Sequence, residues 1–226
     1  MKICAVIPAF NNETTVCHVI RKARQNVQHI VVVDDGSTDG TARAAKNENA
    51  YVIRIPENRG KGNALRVAFR YALENGFEAV ITLDADLQHD PSEIPKFVKL
   101  HETSRAGIVA GNRLNAREKI PGIRYGPNLI GCSMFSWLIG QPVPDSQCGF
   151  RLYDYQVMKN IHVLNDGFEA ESDILIRAGK RGYKIVFVPV RTIYFSNHMH
   201  RSYFRPIKDT FRISIIFLMN LFWKKR

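Results

Sequence analysis

Ala79-Val80-Ile81-Thr82-Leu83-Asp84-Ala85-Asp86-Leu87-Gln88 predicts a buried strand that ends in carboxylates. The first five residues are apolar or β-branched, and the abrupt change to acids is typical of the ligand-binding edge of a parallel sheet. In an extended chain Asp84 and Asp86 point the same way, and Gln88 continues that face. These hard oxygen ligands suit Mg²⁺ or Mn²⁺ bridging a diphosphate. The alternative is that the acids serve only as turn and helix-capping residues.

Three earlier segments repeat the pattern of a strand followed by a helix. Strand-like runs at 3–8, 29–33 and 51–55 each precede a segment with helical spacing. Four such units in a row predict a doubly wound parallel sheet with a nucleotide at its carboxyl edge. The first turn lacks the glycines of a Rossmann oxidoreductase, and Gly60-Lys61-Gly62 lacks the P-loop frame. The remaining interpretation is a nucleotide fold that holds phosphates with a metal and with Lys61.

Polar side chains also follow the predicted strands of the second half. A fifth strand is predicted at 107–110, and Arg113 follows it with a guanidinium that can fork onto a phosphate. The apolar helix predicted at 128–139 is either core or a membrane-proximal platform that brings Arg113 and Arg124 to a lipid phosphate. Asp145 lies in a loop before a predicted edge strand, and it either stabilises a turn or is a functional carboxylate of the site.

The net charge of +11 comes from the last quarter of the chain. Residues 174–226 contain twelve Lys or Arg and one acid, which leaves 20 basic and 20 acidic residues in 1–173. The apolar run at 213–223, flanked by cations, is shorter than the ~30 Å hydrocarbon core at about 1.5 Å per residue. It therefore fits an anionic membrane surface better than nucleic acid. The alternatives are a terminal core helix or an oligomer contact.

The amino terminus and the cysteines indicate the cellular setting. Met1-Lys2 runs directly into a short strand, without the apolar region of a secretory signal. The four cysteines are far apart and have no metal-ligand spacing, so we expect reduced thiols. We therefore expect the protein at the cytoplasmic face of a membrane, bound as a peripheral or monotopic protein.

Six short motifs occur in order and together resemble a known family. The resemblance is to the family 2 glycosyltransferases of GT-A fold, most closely to the polyprenyl-phosphate branch typified by dolichol-phosphate mannose synthase. It covers roughly residues 3–212. The motifs are Pro8-Ala9-Phe10-Asn11, Val33-Asp34-Asp35-Gly36-Ser37-Thr38-Asp39-Gly40-Thr41, Asn58-Arg59-Gly60-Lys61-Gly62, Asp84-Ala85-Asp86-Leu87-Gln88, Gly111-Asn112-Arg113 and Gly149-Phe150-Arg151.

The resemblance implies a Rossmann-like, mostly parallel α/β sheet flanked by helices. We expect a single GT-A catalytic domain over 1–205 and a basic, apolar, membrane-proximal helix over 206–226. The implied reaction is inverting transfer of a hexose from a UDP- or GDP-sugar to dolichyl or undecaprenyl phosphate, with Mg²⁺ or Mn²⁺. An oligomer is compatible with this scheme, and no nucleic acid is involved.

The resemblance also implies roles for individual residues. Asp84, Asp86 and Gln88 coordinate the metal, and Asp86, Arg113, Arg124 and Asp145 form the catalytic set, with both arginines on the acceptor phosphate. The family usually has glutamate where this chain has Asn12, and a nucleotide contact is implied there as well. The nucleotide-sugar set comprises Pro8, Phe10, Asn12, Val33, Asp35, Lys61, Asp84, Ala85, Arg201 and Ser202.

Two other functions remain open at this stage. A family 2 transferase with a saccharide or other hydroxyl acceptor needs a general base, for which Asp145 and Glu171 are the candidates. A non-catalytic basic adaptor for membranes or nucleic acid would show affinity that collapses with salt and no metal-dependent nucleotide binding. Acids at several predicted strand ends argue against the adaptor.

Overall fold

A computed structural model describes residues 1–113, 122–191, 193 and 206–221, without the side chains of 122–130 and 206–210. Seven strands form one sheet in the order β3-β2-β1-β4-β6-β5-β7. The strands are β1 (Ile3–Ala9), β2 (His29–Asp35), β3 (Tyr51–Ile55), β4 (Ala79–Thr82), β5 (Ile108–Asn112), β6 (Arg151–Asp154) and β7 (Ile185–Pro189).

The described part of the chain contains eight α-helices, which connect or follow these strands. Most of their apolar positions keep helical spacing and face the sheet, so tertiary packing stabilises them. The helices are α1 (Glu13–Arg24), α2 (Thr41–Asn47), α3 (Lys61–Glu74), α4 (Ile94–Ser104), α5 (Gly122–Ile139), α6 (Tyr155–Asn160), α7 (Glu169–Lys180) and α8 (Pro206–Leu221), and a 3₁₀ turn (Pro91–Glu93) precedes α4.

The sheet separates two hydrophobic cores. Alternate residues of β1 face opposite sides, with Cys4 and Val6 in one core and Ala5 and Ile7 in the other. Helices α3, α5, α6, α7 and α8 cover the first side, whereas α1, α2 and α4 cover the second. A sheet buried on both faces explains the nearly continuous apolar runs of its strands. The predicted α/β class, with a mostly parallel sheet flanked by helices, is therefore confirmed.

The first four strands are parallel, as predicted, but the second half of the sheet differs from the prediction. The segment after Asp145 was expected to form an edge strand. Instead β6 lies inside the sheet and pairs antiparallel with both β4 and β5. The carboxyl end of β4 therefore lies beside the amino end of β6, which places the loop before Arg151 next to the acidic segment.

Several boundaries also differ from the sequence prediction. Strand β1 extends to Ala9 rather than residue 8, and β5 covers Ile108–Asn112 rather than 107–110. The backbone of α5 is already helical at Gly122, six residues before the predicted start. The four cysteines are free thiols, as their spacing predicted.

Helix α8 has two apolar faces. Ile213, Ile216 and Phe217 are buried toward α7, whose Asp173 accepts a 3.1 Å hydrogen bond from the buried Asn220. The helix thus packs on α7, while the boundary at residue 205 stays a prediction. None of the helices in the described part of the chain combines the length and apolar character needed to cross a bilayer.

Candidate active site

The segment after β4 was predicted to be extended, and it is a turn. The strand ends at Thr82, and Leu87 adopts a left-handed conformation with φ of 66°. The Asp86 Oδ1 atom accepts a 3.0 Å hydrogen bond from the Gln88 amide, which closes the turn. Asp84 and Asp86 therefore do not share one face of an extended strand. The prediction of an extended segment was wrong because the hydrogen bond from the Gln88 amide to Asp86 stabilises a turn. This local bond ends the extended conformation that the preceding apolar residues favour.

The Asp84 carboxylate contacts Lys61 and His89 at this edge of the sheet. The Lys61 Nζ atom lies 2.5 Å from Asp84 Oδ1, and the His89 Nε2 atom lies 3.6 Å from Asp84 Oδ2. Burial opposes ionisation of Asp84, but the Lys61 ammonium outweighs it and lowers the pKa of Asp84 to about 2. Burial lowers the pKa of His89 to about 4, so this imidazole is neutral near pH 7. The site is thus charged at Asp84 and Lys61.

The neutral imidazole of His89 has a defined orientation. Its Nδ1 atom accepts a 3.2 Å hydrogen bond from the Asp84 amide, so the remaining proton is carried by Nε2 and faces the Asp84 carboxylate. Phe150 stacks on the ring at 5.4 Å between centroids. His89 therefore helps to fix the position of the carboxylate without adding charge.

Lys61 also contacts a second carboxylate, Glu171, which the sequence offered only as a candidate general base for a hydroxyl acceptor. Its Nζ atom lies 3.0 Å from Oε2 of Glu171, in the first turn of α7. Burial alone would lower the pKa of Lys61, but Asp84 and Glu171 outweigh it, so the pKa is raised and the ammonium stays charged. Acids are common in first helical turns because of the helix dipole, so no local signal distinguishes Glu171 in the sequence.

Gly149 lies directly against this pair. A Cβ atom on Gly149 would come within 2.6 Å of Lys61 Nζ and 2.7 Å of Asp84 Oδ2. The Thr82 hydroxyl donates a 2.8 Å hydrogen bond to the Gly149 carbonyl and so fixes the loop. Because even a methyl group would collide here, the glycine of the Gly-Phe-Arg motif provides the space in which Lys61 and Asp84 meet.

Arg151 holds the same loop from inside the protein. This fully buried guanidinium donates hydrogen bonds to the carbonyls of Ser146 at 2.8 Å, Cys148 at 2.7 Å and Glu171 at 2.6 Å. One side chain thereby joins the 146–149 loop to the start of α7. The sequence motif marked Arg151, but only the structure shows that it positions Glu171.

The nucleoside candidates lie at the carboxyl ends of β1 and β2. Pro8 and Val33 are partners in the parallel ladder, so they are side by side. Asp35 Oδ1 and Oδ2 accept hydrogen bonds of 3.1 and 2.6 Å from the amides of Arg59 and Gly60. Burial raises the pKa of Asp35. The carboxylate thus fixes the loop that presents Lys61.

The other predicted nucleotide contacts lie in the turns after β1 and β4 or outside the described residues. Asn12 closes the turn after β1, because its Oδ1 atom accepts a 3.0 Å hydrogen bond from the Phe10 amide. Ala85 is buried within the turn after β4. Three predicted site residues, Arg124, Arg201 and Ser202, lie outside the residues whose side chains the structure describes.

Arg113 is oriented by Asp145. The Arg113 Nε and Nη2 atoms lie 2.8 and 3.0 Å from Asp145 Oδ2 and Oδ1, and the Arg113 amide donates a further 3.1 Å bond to Oδ2. Asp145 is completely buried, and Arg113 outweighs the effect of burial and lowers its pKa. Arg113 follows β5, whose carboxyl end lies one strand away from that of β4, so the guanidinium and the Asp84–Lys61 pair belong to the same edge of the sheet.

This architecture defines a class of fold. A mostly parallel sheet with an acidic carboxyl edge and one interior antiparallel strand is the GT-A type of nucleotide-binding fold. Glucosyl-3-phosphoglycerate synthase from Mycobacterium tuberculosis, solved with Mn²⁺, UDP and phosphoglyceric acid, matches with a TM-score of 0.74 over 97% of this chain and 77% of that chain. At 22% identity, this similarity concerns the fold alone.

Comparison with protein families gives a narrower assignment. Residues 4–162 match the model of glycosyl transferase family 2. An uncharacterized protein of Methanocaldococcus jannaschii is 35% identical over 208 residues, which cover 89% of this chain and 85% of that protein. The UDP-N-acetylglucosamine--dolichyl-phosphate N-acetylglucosaminyltransferase of Methanococcus voltae is 32% identical over 227 residues, covering 88% and 89%. The chain belongs to glycosyl transferase family 2 and is a nucleotide-sugar-dependent glycosyltransferase.

Proposed function

We propose that this enzyme transfers a hexose, with inversion, from a UDP- or GDP-sugar to a polyprenyl phosphate such as dolichyl or undecaprenyl phosphate. One observation carries the proposal: Arg113 is oriented on two sides by Asp145 and follows β5, whose carboxyl end shares the sheet edge with that of β4, which precedes Asp84. A fixed guanidinium binds a phosphate oxyanion well, and at this edge it would hold an acceptor phosphate on the same side of the sheet as the donor. The dolichyl-phosphate enzyme of Methanococcus voltae supports the same acceptor class.

The donor would lie along the carboxyl ends of β1, β2 and β4. In this arrangement the nucleoside contacts the edge formed by Pro8, Phe10, Asn12, Val33 and Asp35. Lys61 faces the diphosphate, and Ala85 lines the turn below it. Arg201 and Ser202 stay predicted donor contacts, as Arg124 stays a predicted acceptor contact.

A divalent cation fits the turn after β4 only if the donor shares it. Among the described residues, no group of three or more His, Cys, Asp or Glu could hold a metal ion alone. Asp84, Asp86 and Gln88 offer carboxylate and amide oxygens, the donors that Mg²⁺ or Mn²⁺ prefers, with diphosphate oxygens completing the shell. When bound, the ion would stabilise the charge of the departing diphosphate.

The acceptor chemistry requires positioning more than proton transfer. A phosphate oxyanion is nucleophilic near neutral pH, so in-line placement and neutralisation of charge are the main requirements. Arg113 would hold the acceptor phosphate, and Asp145 would keep the guanidinium aimed. A hydroxyl acceptor would need a base instead, but Asp145 is paired with Arg113 and Glu171 with Lys61. These pairings favour the phosphate acceptor.

The outer face of α8 supports association with a membrane. Phe211, Ile215 and Leu218, spaced i, i+4 and i+7, form one exposed apolar stripe opposite the buried face, and Met219 extends it. Positive charge is concentrated in the same part of the chain, where twelve Lys or Arg lie in residues 174–226. An apolar stripe among cations suits an anionic lipid surface, at which a polyprenyl phosphate is available.

The transfer proposal is tested with a panel of UDP- and GDP-hexoses and UDP-N-acetylhexosamines. Each is incubated with a short polyprenyl phosphate and Mn²⁺, and product is followed by mass spectrometry. We expect one donor to give a glycosyl phosphate lipid and chelator to abolish it. Equal transfer to a polyprenol or a free saccharide would contradict the phosphate acceptor.

The membrane proposal is tested by cosedimentation with vesicles of varied anionic lipid content. We expect Leu218→Glu to weaken vesicle binding at least tenfold. Leu164→Glu is the matched control, because Leu164 is 57% exposed and Leu218 is 55% exposed. If Leu218→Glu instead leaves vesicle binding intact and dissociates an oligomer in analytical ultracentrifugation, the stripe is a contact between copies and the membrane proposal is wrong.

A further inference from the structure

Lys61 is a cation shared by two carboxylates from different parts of the fold. Asp84 follows β4 and Glu171 lies in α7, and their oxygens are 2.5 and 3.0 Å from Lys61 Nζ. Only 10% of the Lys61 side chain and 7% of the Glu171 side chain are exposed, against 27% for Asp84. Asp84 is therefore the member of the trio that solvent and a ligand can reach.

The charges of the trio are not balanced. Two carboxylates and one ammonium leave a net negative charge beside the neutral His89. The Glu171 Oε1 atom is buried and, within the described residues, has no hydrogen-bond partner. The buried Arg151 guanidinium also acts on this carboxylate, and Lys61 is the cation in direct contact with it. Glu171 thus depends on Lys61 for its contact ion pair, because a buried carboxylate that loses such a partner is strongly destabilised. Asp84 depends on it less, because it is partly exposed.

The position of Glu171 is fixed by the backbone as well. Arg151 binds the Glu171 carbonyl, and the Gly62 amide at the start of α3 donates a 2.7 Å hydrogen bond to the Asp166 carbonyl just before α7. A Cβ atom on Gly60, whose φ is +107°, would lie 2.4 Å from the same carbonyl oxygen. The segments that carry Lys61 and Glu171 are therefore locked together, and their contact is built into the fold.

We propose that Glu171 is a positioning residue that anchors Lys61 and so releases Asp84 for the donor. The inference rests on the proposed function, in which Asp84 serves the diphosphate and its cation. With Glu171 as the permanent counter-ion, Lys61 stays facing the diphosphate when Asp84 changes partner. Without Glu171, Lys61 would depend on Asp84 as its counter-ion among the described residues, and donor binding would have to break that pair.

The test compares Glu171→Gln with the wild-type enzyme in calorimetric titrations of UDP and GDP, with Mn²⁺ present. Glutamine keeps the shape of the side chain and removes its charge. We expect affinity for the preferred nucleotide to fall about tenfold. The control is Glu169→Gln, a buried carboxylate on the same helix that faces Arg212 at 3.8 Å, and it should change affinity less than twofold.

A double-mutant cycle separates anchoring of Lys61 from direct contact with the donor. Lys61→Met should itself weaken binding, and adding Glu171→Gln to it should cause no further loss if Glu171 acts through Lys61. A double variant that loses the product of the two single effects would overturn the inference, as would wild-type affinity in Glu171→Gln. If Glu171→Gln does not fold, Glu171→Asp should show an intermediate loss, and wild-type affinity there would overturn it.

The same titrations distinguish the two proposals. If the wild-type enzyme binds neither UDP nor GDP with Mn²⁺, the proposed function fails and this inference fails with it. If the wild-type enzyme binds one nucleotide and the glutamine variant binds it equally, only the role of Glu171 is wrong. Thermal unfolding of every variant, with and without nucleotide, shows that affinity is compared between folded proteins.

Discussion

Both carboxylate oxygens of Asp145 accept hydrogen bonds from the Arg113 guanidinium, and Asp145 also accepts one from the Arg113 backbone amide. Both the side chain and the backbone of the arginine are thus fixed by one buried group. The Gln147 amide donates a further 3.0 Å bond to Asp145 Oδ1. With its oxygens occupied in this way, Asp145 is suited to orient a guanidinium rather than to remove a proton from an acceptor.

Asp145→Asn should disturb the acceptor side while sparing the donor side. The amide removes the charge that holds Arg113, so we expect acceptor KM to rise about tenfold or more and Mn²⁺-dependent nucleotide affinity to stay within twofold. The free energy of unfolding should fall by about 3 kcal/mol, the lower end of the range for breaking a buried ion pair, because the Arg113 side chain is partly exposed. Denaturant unfolding and initial rates measure the two effects. Asp154→Asn, which alters the N-cap of α6, is the control, and equal loss of nucleotide affinity in Asp145→Asn would contradict the assignment.

The same ion pair predicts a pH dependence of stability. The pKa of Asp145 in the folded protein is held below its ordinary value of 3.8, so ionisation favours the folded state. This stabilisation is fully present above about pH 3.8 and is lost as the pH falls through the folded-state pKa. The difference in unfolding free energy between wild type and Asp145→Asn should therefore be constant at neutral pH and shrink in acid. A difference that stays constant down to pH 2 would refute the prediction.

Gly149→Ala should impair the site without disturbing the rest of the fold. The added methyl group would displace the Lys61 ammonium and the Asp84 carboxylate, so we expect nucleotide affinity to fall about tenfold. Overpacking of this kind should separately lower the free energy of unfolding by about 1–3 kcal/mol. Gly131→Ala is the matched control, because the described chain has no atom within 4 Å of a Cβ there. In the helix interior that change should stabilise by up to about 1 kcal/mol. Equal nucleotide affinity in both variants would contradict the close contact.

Asp86→Asn should remove the dependence of nucleotide binding on Mn²⁺. Asp86 closes the turn through Gln88, and asparagine can keep that hydrogen bond while losing the charge that a cation needs. We expect at least a tenfold loss of affinity in Mn²⁺ and little change in chelator. Asp90→Asn, which alters only the cap of the 3₁₀ turn, should behave like wild type. Unchanged Mn²⁺ dependence in Asp86→Asn would exclude Asp86 as a ligand.

Residue order along the chain is enough to specify the parallel half of the sheet and its ligand-binding edge. Parallel strands buried on both faces require continuous apolar runs, and the carboxyl ends of parallel strands meet at one edge. The order of residues along the chain was therefore enough to place the acids Asp35 and Asp84 at the same edge. Arg113 followed from the same reasoning because it comes directly after β5, and Lys61 because it begins the helix that follows β3. These features depend on periodicity and local order along the chain.

Long-range contacts determine which charged side chains lie together at this edge. The interior position of β6, between β4 and β5, depends on pairing with two distant strands, and no local pattern specifies it. That pairing places Gly149 against Lys61, while Arg151 ties α7 to the same loop and places Glu171 beside the ammonium. In the sequence, a carboxylate in a first helical turn is explained by its favourable interaction with the helix dipole. Its contact with Lys61 depends on long-range packing and is visible only in the structure.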